Sequence, residues 1–402
     1  MFRDAAASGL QSVGCNVHDF GIVPTPAIQY CLKKMGLNGG LMITASHNPP
    51  QFNGVKVMYH DGVEISRSIE DQIEEIYFAG GPKLTPWNKI GSIKNQSVLG
   101  SYMDAIVNIV DAKKIRLKKL KVAIDPGNGV GTLVAPLIAQ RLGCEVYTVN
   151  ADLDGSFPGR DSEPRPDNLG SLITLVKATR SDIGVAFDGD ADRSIFIDEK
   201  GEALWGDRSF ALIAKDYMKR YPGSSVVTPV SSSKAIVDVV DSGKGSIYWT
   251  RVGSVDVSRA MVENGIMFGG EENGGVMYGL HHPVRDGSMT MALILEIIAQ
   301  EGRALSELVL ELPQYAQLKD KVSCPNDKKV KLLDAIRNLI AAPRIETIDG
   351  LKLYYPDNSW ILIRPSGTEP IFRLYAEADN QIKVEKLMSE NKKMIEDTIR
   401  LL

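Results

Sequence analysis

Three aspartates, Asp188, Asp190 and Asp192, alternate through VAFDGDADRSIFID, so that an extended loop turns three carboxylates toward one point. Hard oxygen donors in that number suit Mg2+ or Ca2+. A second segment, ITASHNPP, closes an apolar run with Ser46 and His47 and stiffens the exit with two prolines. Serine is a weak nucleophile without a base, and no G-x-S-x-G elbow surrounds Ser46. Carrying a phosphoryl group is a different task. Carboxylate-bound Mg2+ neutralises the phosphate oxygens, and positioning with charge stabilisation passes the group to a hydroxyl. Lys56 in NGVK and Arg193 add positive charge to such a centre, and His47 is placed to orient the serine. In RPSGTEP, residues Arg364, Ser366, Gly367 and Thr368 combine a guanidinium, two hydroxyls and a glycine turn, the parts of a phosphate grip. In GGEENGG, Glu271, Glu272 and Asn273 stand between glycines that permit close backbone approach, a frame suited to sugar hydroxyls.

Each loop admits a rival. An EF-hand starting at Asp188 would have Glu199 at its twelfth position, but Arg193 stands at the sixth, where glycine is needed, and the flanks read as strands. An apolar strand running into D-x-D also opens phosphatases that use the first aspartate as nucleophile, here Asp188. A third carboxylate at Asp192 favours metal holding instead. The 364–370 segment could be an ordinary turn whose Arg364 pairs with Glu369, and 269–279 a plain surface loop.

These loops need elements that bring them together. Near-continuous Val/Ile/Leu runs alternate with helical patterns in three successive units, each a strand, a turn, a helix and a second strand leading to a polar loop. That pattern predicts α/β layers whose ligands gather at the carboxyl ends of strands, where SHNPP, DGDADR and GEENGG fall. From about residue 315 the pattern becomes a small α+β domain. Its last helix carries a packing stripe of Ile382, Val384, Leu387, Met388, Met394, Ile395 and Ile399. The fold class is therefore α/β, three repeated mixed-sheet domains at 1–98, 99–198 and 199–312, with an α+β domain at 313–402. Phe2, Ala5, Ala6, Leu10 and Val13 form a helical face at the first residues with no strand before it, so a preceding segment is expected.

Composition narrows the classes. At 402 residues the chain exceeds the roughly 250–300 that one core supports. A net charge of -4 gives no general affinity for nucleic acid or acidic membranes, so any anion is held by local groups. Cys15, Cys31, Cys144 and Cys324 form no C-x-x-C pair and suggest neither zinc nor disulfides, which fits a reducing cytoplasm. Runs such as MALILEII fall short of the roughly 18 apolar residues of a membrane span, and no signal peptide opens the chain.

With TPA at 25–27, ITASHNPP, NGVK, DGDADR, GEENGG and RPSGTEP in this order, the chain resembles the α-D-phosphohexomutase family over almost its whole length. The resemblance implies a heart-shaped, four-domain fold with a central cleft. It implies that Ser46 is phosphorylated, that Mg2+ is bound by that phosphate with Asp188, Asp190 and Asp192, and that Glu271 and Asn273 read sugar hydroxyls. Arg364, Ser366, Gly367 and Thr368 would hold the distal phosphate. The implied reaction interconverts hexose 1-phosphate and hexose 6-phosphate, of mannose or glucose, with hexose 1,6-bisphosphate as activator and intermediate. Phosphoglucosamine mutase, an aspartyl-nucleophile phosphatase and an inactive sugar-phosphate binder are the alternatives. The chain departs from the family's pattern in lacking an opening strand with an Arg-Gly pair and a later Asp-x-Arg. It also has Asn273, Gly274 and Gly275 where many bacterial relatives have Ser-Gly-His, which leaves Lys56 as the candidate for proton transfer.

Overall fold

A computed structural model describes residues 1–339, 344–367 and 369–401. In the first layer, β1 (Val17–Asp19), β2 (Gly39–Ile43), β3 (Val55–Tyr59) and β4 (Ile93–Asn95) make two ladders, β1 parallel to β4 and β2 antiparallel to β3. The layered sheet expected from sequence is thus divided here, because no strand among the described residues joins β1 to β2. The expected opening helix is present at Phe2–Ser12, with no residue fully buried.

The second layer holds β5 (Lys121–Asp125), β6 (Glu145–Thr148), β7 (Ile183–Phe187), β8 (Ser194–Asp198) and β9 (Ala203–Leu204) in the order β6-β5-β7-β8-β9. The three strands β6, β5 and β7 run parallel, and β8 turns back antiparallel on β7. Every residue of β7, IGVAF, is buried, as a central strand covered on both faces requires. The third layer repeats the plan with β10 (Ser225–Pro229), β11 (Ser246–Thr250), β12 (Phe268–Gly270) and β13 (Val276–Tyr278) in the order β11-β10-β12-β13. Its last pair is again antiparallel. In all three layers the chemistry-bearing loop is therefore the link of an antiparallel pair: β2 to β3 for Ser46, β7 to β8 for the aspartates, β12 to β13 for Glu271.

The C-terminal sheet is wholly antiparallel, β14 (Ala316–Ser323), β15 (Arg344–Glu346), β16 (Leu351–Tyr354), β17 (Trp360–Pro365) and β18 (Ile371–Ala378) in the order β14-β18-β17-β16-β15. Short β15 was not foreseen. The helix Gln381–Leu401 buries Val384, Leu387, Met388 and Ile395, but Ile382 is 80% exposed. The buried stripe therefore starts at Val384 and leaves out Ile382, the second residue of the helix.

One apolar core runs through the first three layers, and the C-terminal domain has its own. The run MALILEII lies in the helix Gly287–Glu301, buried from Gly287 to Ile298, which is why it is apolar on every side apart from Glu296, itself paired with Arg220 at 2.7 Å. No helix among the described residues is long and apolar enough to cross a membrane. The third layer meets the C-terminal sheet through a small cluster of Val230, Trp360 and Leu362. There Lys352 Nζ donates to Val230 O at 2.7 Å and lies 3.8 Å from the Trp360 ring centre, with the Trp249 and Tyr354 rings at 5.2 and 5.3 Å.

Candidate active site

Asp188, Asp190 and Asp192 leave β7 on a six-residue link and are 0%, 1% and 2% exposed, with one carboxylate oxygen of each within 4.8 Å of the other two. Asp188 Oδ2, Asp190 Oδ1 and Asp192 Oδ1 are buried without a hydrogen-bond partner among the described residues. Acceptors left so are costly unless something cationic is brought to them. The strands on both sides exclude the helix-flanked EF-hand.

Ser46 comes to this loop directly. A Cβ built on Gly189 would stand 2.5 Å from Ser46 O and 3.2 Å from the Phe157 ring, so only glycine lets the two loops touch. Ser46 itself has φ 52°, a left-handed conformation that costs a non-glycine residue roughly 1 kcal/mol or more. Its amide donates to Thr44 Oγ1 at 2.8 Å, and its Oγ is buried and without a partner among the described residues. Ser162 Oγ, donating to Asn48 O at 3.0 Å, ties the loop to the second layer from above.

Cations surround the aspartates. Lys56 Nζ on β3 lies 2.9 Å from Asp190 and 3.1 Å from Asp192, with Glu64 at 3.8 Å. Arg285 Nη2 stands 2.6 Å from Asp192 Oδ2 and Nη1 3.2 Å from Glu271 Oε2. The Arg193 amide donates to Asp188 Oδ1 at 3.1 Å, while its guanidinium lies 3.2 Å from Glu163. Burial, then the neighbouring Asp192 and Asp190, raise the Asp188 carboxyl far above the usual range. For Asp192 burial acts the same way, but Arg285, Lys56 and Arg193 outweigh it and hold the group ionised. Burial works against the Lys56 ammonium, yet Asp192, Asp190 and Glu64 keep it protonated; here it is a fixed positive charge. Burial and then Arg193 push the His47 imidazole down to about 4.

The sugar-loop residues adjoin this centre. Glu271 is buried against Arg285, Asn273 Oδ1 accepts from Gly275 N at 3.1 Å, and Gly274 O accepts from Ser194 N at 3.2 Å. Glu272 turns the other way. It accepts from Ser231 Oγ at 3.0 Å and pairs with Lys319 Nζ of the C-terminal sheet at 3.3 Å. Arg364, at the end of β17, stays outside the network and pairs with Asp349 at 2.9 Å. It does not pair with Glu369, whose partner is Arg373 at 2.6 Å. Ser366 lies on the same turn, its carbonyl and that of Glu369 each accepting from Lys329 Nζ at 2.6 Å; Gly367 is exposed. Thr368 lies outside the described residues.

The structure thus joins Ser46, His47, Lys56, the three aspartates, Arg193, Glu271 and Asn273 at one centre and leaves Arg364 apart from it. Three members were not singled out from sequence: Arg285, Glu163 and Thr25, whose Oγ1 donates to Asp190 Oδ2 at 2.7 Å. TPA marked the position of Thr25 without its role. Arg285 and Glu163 carry no local signal, since a charged residue in a loop reads as solvated until the fold buries it.

Three α/β layers meeting at one acidic centre, with an antiparallel C-terminal domain beside them, define a multidomain α/β protein. The family patterns of phosphoglucomutase/phosphomannomutase match in chain order: alpha/beta/alpha domain I at residues 1–83, domain II at 100–201, domain III at 205–315 and the C-terminal domain at 321–394. A phosphoglucomutase/phosphomannomutase of Thermococcus kodakarensis is 40% identical over 402 residues, 100% of this chain and 88% of the relative. A phosphoglucosamine/phosphogalactosamine mutase of Sulfurisphaera tokodaii is 42% identical over 395 residues, 96% and 87% of the two chains. The crystal structure of a phosphoglucomutase/phosphomannomutase family protein from Burkholderia thailandensis superimposes with a TM-score of 0.85 at 29% identity, covering 97% of this chain and 85% of that one. The chain belongs to the phosphoglucomutase/phosphomannomutase family, the α-D-phosphohexomutases, and is an enzyme with their four-domain fold.

Proposed function

We propose that the chain interconverts the 1- and 6-phosphates of glucose or mannose through a phosphoryl group carried on Ser46. The observation that supports this most is the contact of the Ser46 carbonyl with Gly189, which brings the serine loop against the aspartate loop; Ser46 Oγ there is buried with no hydrogen-bond partner among the described residues. In the forward half, the Oγ–phosphorus bond of phosphoserine breaks as the free sugar hydroxyl takes the group and gives up its proton, Ser46 Oγ regains a proton, and hexose 1,6-bisphosphate results. In the second half the other phosphate returns to Ser46. Lys56 and Arg193 hold positive charge near the transferring group, and His47 orients the serine loop. Glu271 and Asn273 read sugar hydroxyls, while Arg364, Ser366, Gly367 and Thr368 grip the phosphate that is not reacting.

Asp188, Asp190 and Asp192 each bring one carboxylate oxygen within 4.8 Å of the others, and each has an oxygen with no hydrogen-bond partner among the described residues, a set of hard donors that fits Mg2+. When bound, the ion would supply charge to neutralise phosphoryl oxygens. We further take the domain bounds to be 1–98, 99–198, 199–312 and 313–402, and the reducing cytoplasm as the compartment, in keeping with four free cysteines.

Turnover with Mg2+ and a trace of the matching 1,6-bisphosphate, compared for glucose, mannose and glucosamine 1-phosphates, tests the substrate. Glucosamine 1-phosphate as the fastest of the three would replace this choice, and the name of the Sulfurisphaera relative makes it the second reading. Protein labelled by radioactive bisphosphate should keep its phosphate in hydroxylamine; release there would move the label to an acyl phosphate on Asp188. Arg364→Ala should raise KM for hexose phosphate about tenfold or more, the loss of a charged hydrogen-bonding group, with a smaller effect on kcat. Steady-state kinetics with KM unchanged would remove Arg364 from the grip.

A further inference from the structure

Arg285 is, among the described residues, the one side chain with an ion pair in both the acidic loop and the sugar loop. Its Nη2 holds Asp192 Oδ2 at 2.6 Å and its Nη1 holds Glu271 Oε2 at 3.2 Å, two carboxylates that belong to different layers of the fold. The mount is rigid. Arg285 bridges to Met277 on β13, the next residue's amide donates to Val276 O at 3.2 Å, and Asp286 caps the buried helix by accepting from Met289 N at 2.9 Å and from Tyr102 OH at 2.7 Å. The side chain's stem lies so close to Gly275 that a Cβ there would stand 2.3 Å from Arg285 Cδ. A planar fork fixed at its base can hold two carboxylates in register in a way a flexible ammonium cannot.

The geometry points to Arg285 as a positioning residue that couples the cation site to sugar recognition, placing Glu271 for the sugar while competing with a divalent cation for Asp192. This rests on the reading of Asp188, Asp190 and Asp192 as a metal site. The two halves of the role have opposite signs. Without the arginine, Asp192 is freed of a rival positive charge and a divalent cation binds more tightly, whereas Glu271 loses the partner that aims it and sugar binding weakens. General damage to the site would weaken both.

The test is Mn2+ binding to the sugar-free protein, followed by electron paramagnetic resonance, beside KM for hexose phosphate. R285Q should lower the Mn2+ Kd at least about threefold and raise KM about tenfold. R285K keeps the charge but not the fork, so it should leave the Mn2+ Kd within about twofold and still raise KM. D190N supplies the control for binding at the acidic loop. Weaker Mn2+ binding in R285Q, or an unchanged KM in both variants, overturns the coupling while leaving the metal reading in place. An unsubstituted chain that binds no Mn2+ overturns both.

Discussion

Replacing Ser46 with alanine is expected to lower kcat for hexose phosphate isomerisation at least about a thousandfold, the scale on which loss of a covalent carrier is felt. Substrate binding should survive, because the proposed grip lies on the C-terminal sheet, with Arg364 at the end of β17. The substitution is mild for the fold. Ser46 Oγ has no hydrogen-bond partner to lose among the described residues, and its backbone is held by Thr44 rather than by its own side chain. A melting curve unchanged from the unsubstituted protein, with hexose phosphate affinity retained by calorimetry and turnover gone, is the expected set. A Ser46→Ala protein that keeps a tenth of its turnover would mean the phosphoryl group travels by another route.

The largest effect on stability is expected at Arg160. Its guanidinium lies at 2.9 Å from Asp125 Oδ2 and donates to Phe187 O at 2.7 Å, to Asp125 O at 3.2 Å and to Asp161 O at 2.9 Å. Both partners of the ion pair are almost wholly buried, with side chains 3% and 1% exposed. Among the described residues, Arg160→Ala leaves the buried Asp125 carboxylate with the Gly127 amide and the Asn150 amide group, and takes a donor from the carbonyl that precedes Asp188. Breaking such a pair from one side costs about 3–5 kcal/mol. Calorimetric scans should show the first unfolding transition several degrees lower, and turnover should fall with it because Phe187 O anchors the start of the aspartate loop. An unchanged transition would show that water takes over the arginine's role.

How much of this was legible in the sequence follows from where each signal resides. The loops were readable because their residue types are unusual for loops on chemical grounds: three carboxylates in five residues, a serine before two prolines, glutamates between glycines. The layers were readable from short apolar runs bounded by turn residues, as in IGVAF, whose length suits a strand covered on both faces. Partners across layers were not. Nothing near Arg285 in HHPVRDG indicates that Asp192, 93 positions earlier, and Glu271 share its guanidinium. Arg364 was readable as a cation on a turn, but its pairing with Asp349 depends on the hairpin that returns Gly350 against β17. Lys56 shows the same limit. Its position was evident, while its fixed charge became evident only once Asp190 and Asp192 were seen on either side.

The joint between the third layer and the C-terminal sheet has a mechanical consequence. An ammonium resting on ring faces is attracted from a broad cone of directions, whereas a forked pair demands one alignment. Lys352 among Trp249, Tyr354 and Trp360 is cradled by ring faces and aligned by its bond to Val230 O at 2.7 Å. Few apolar side chains bridge the two otherwise separate cores among the described residues, so directional pins such as the Lys234 amide on Glu377 at 2.8 Å and Lys319 on Glu272 at 3.3 Å share the seam with that lysine.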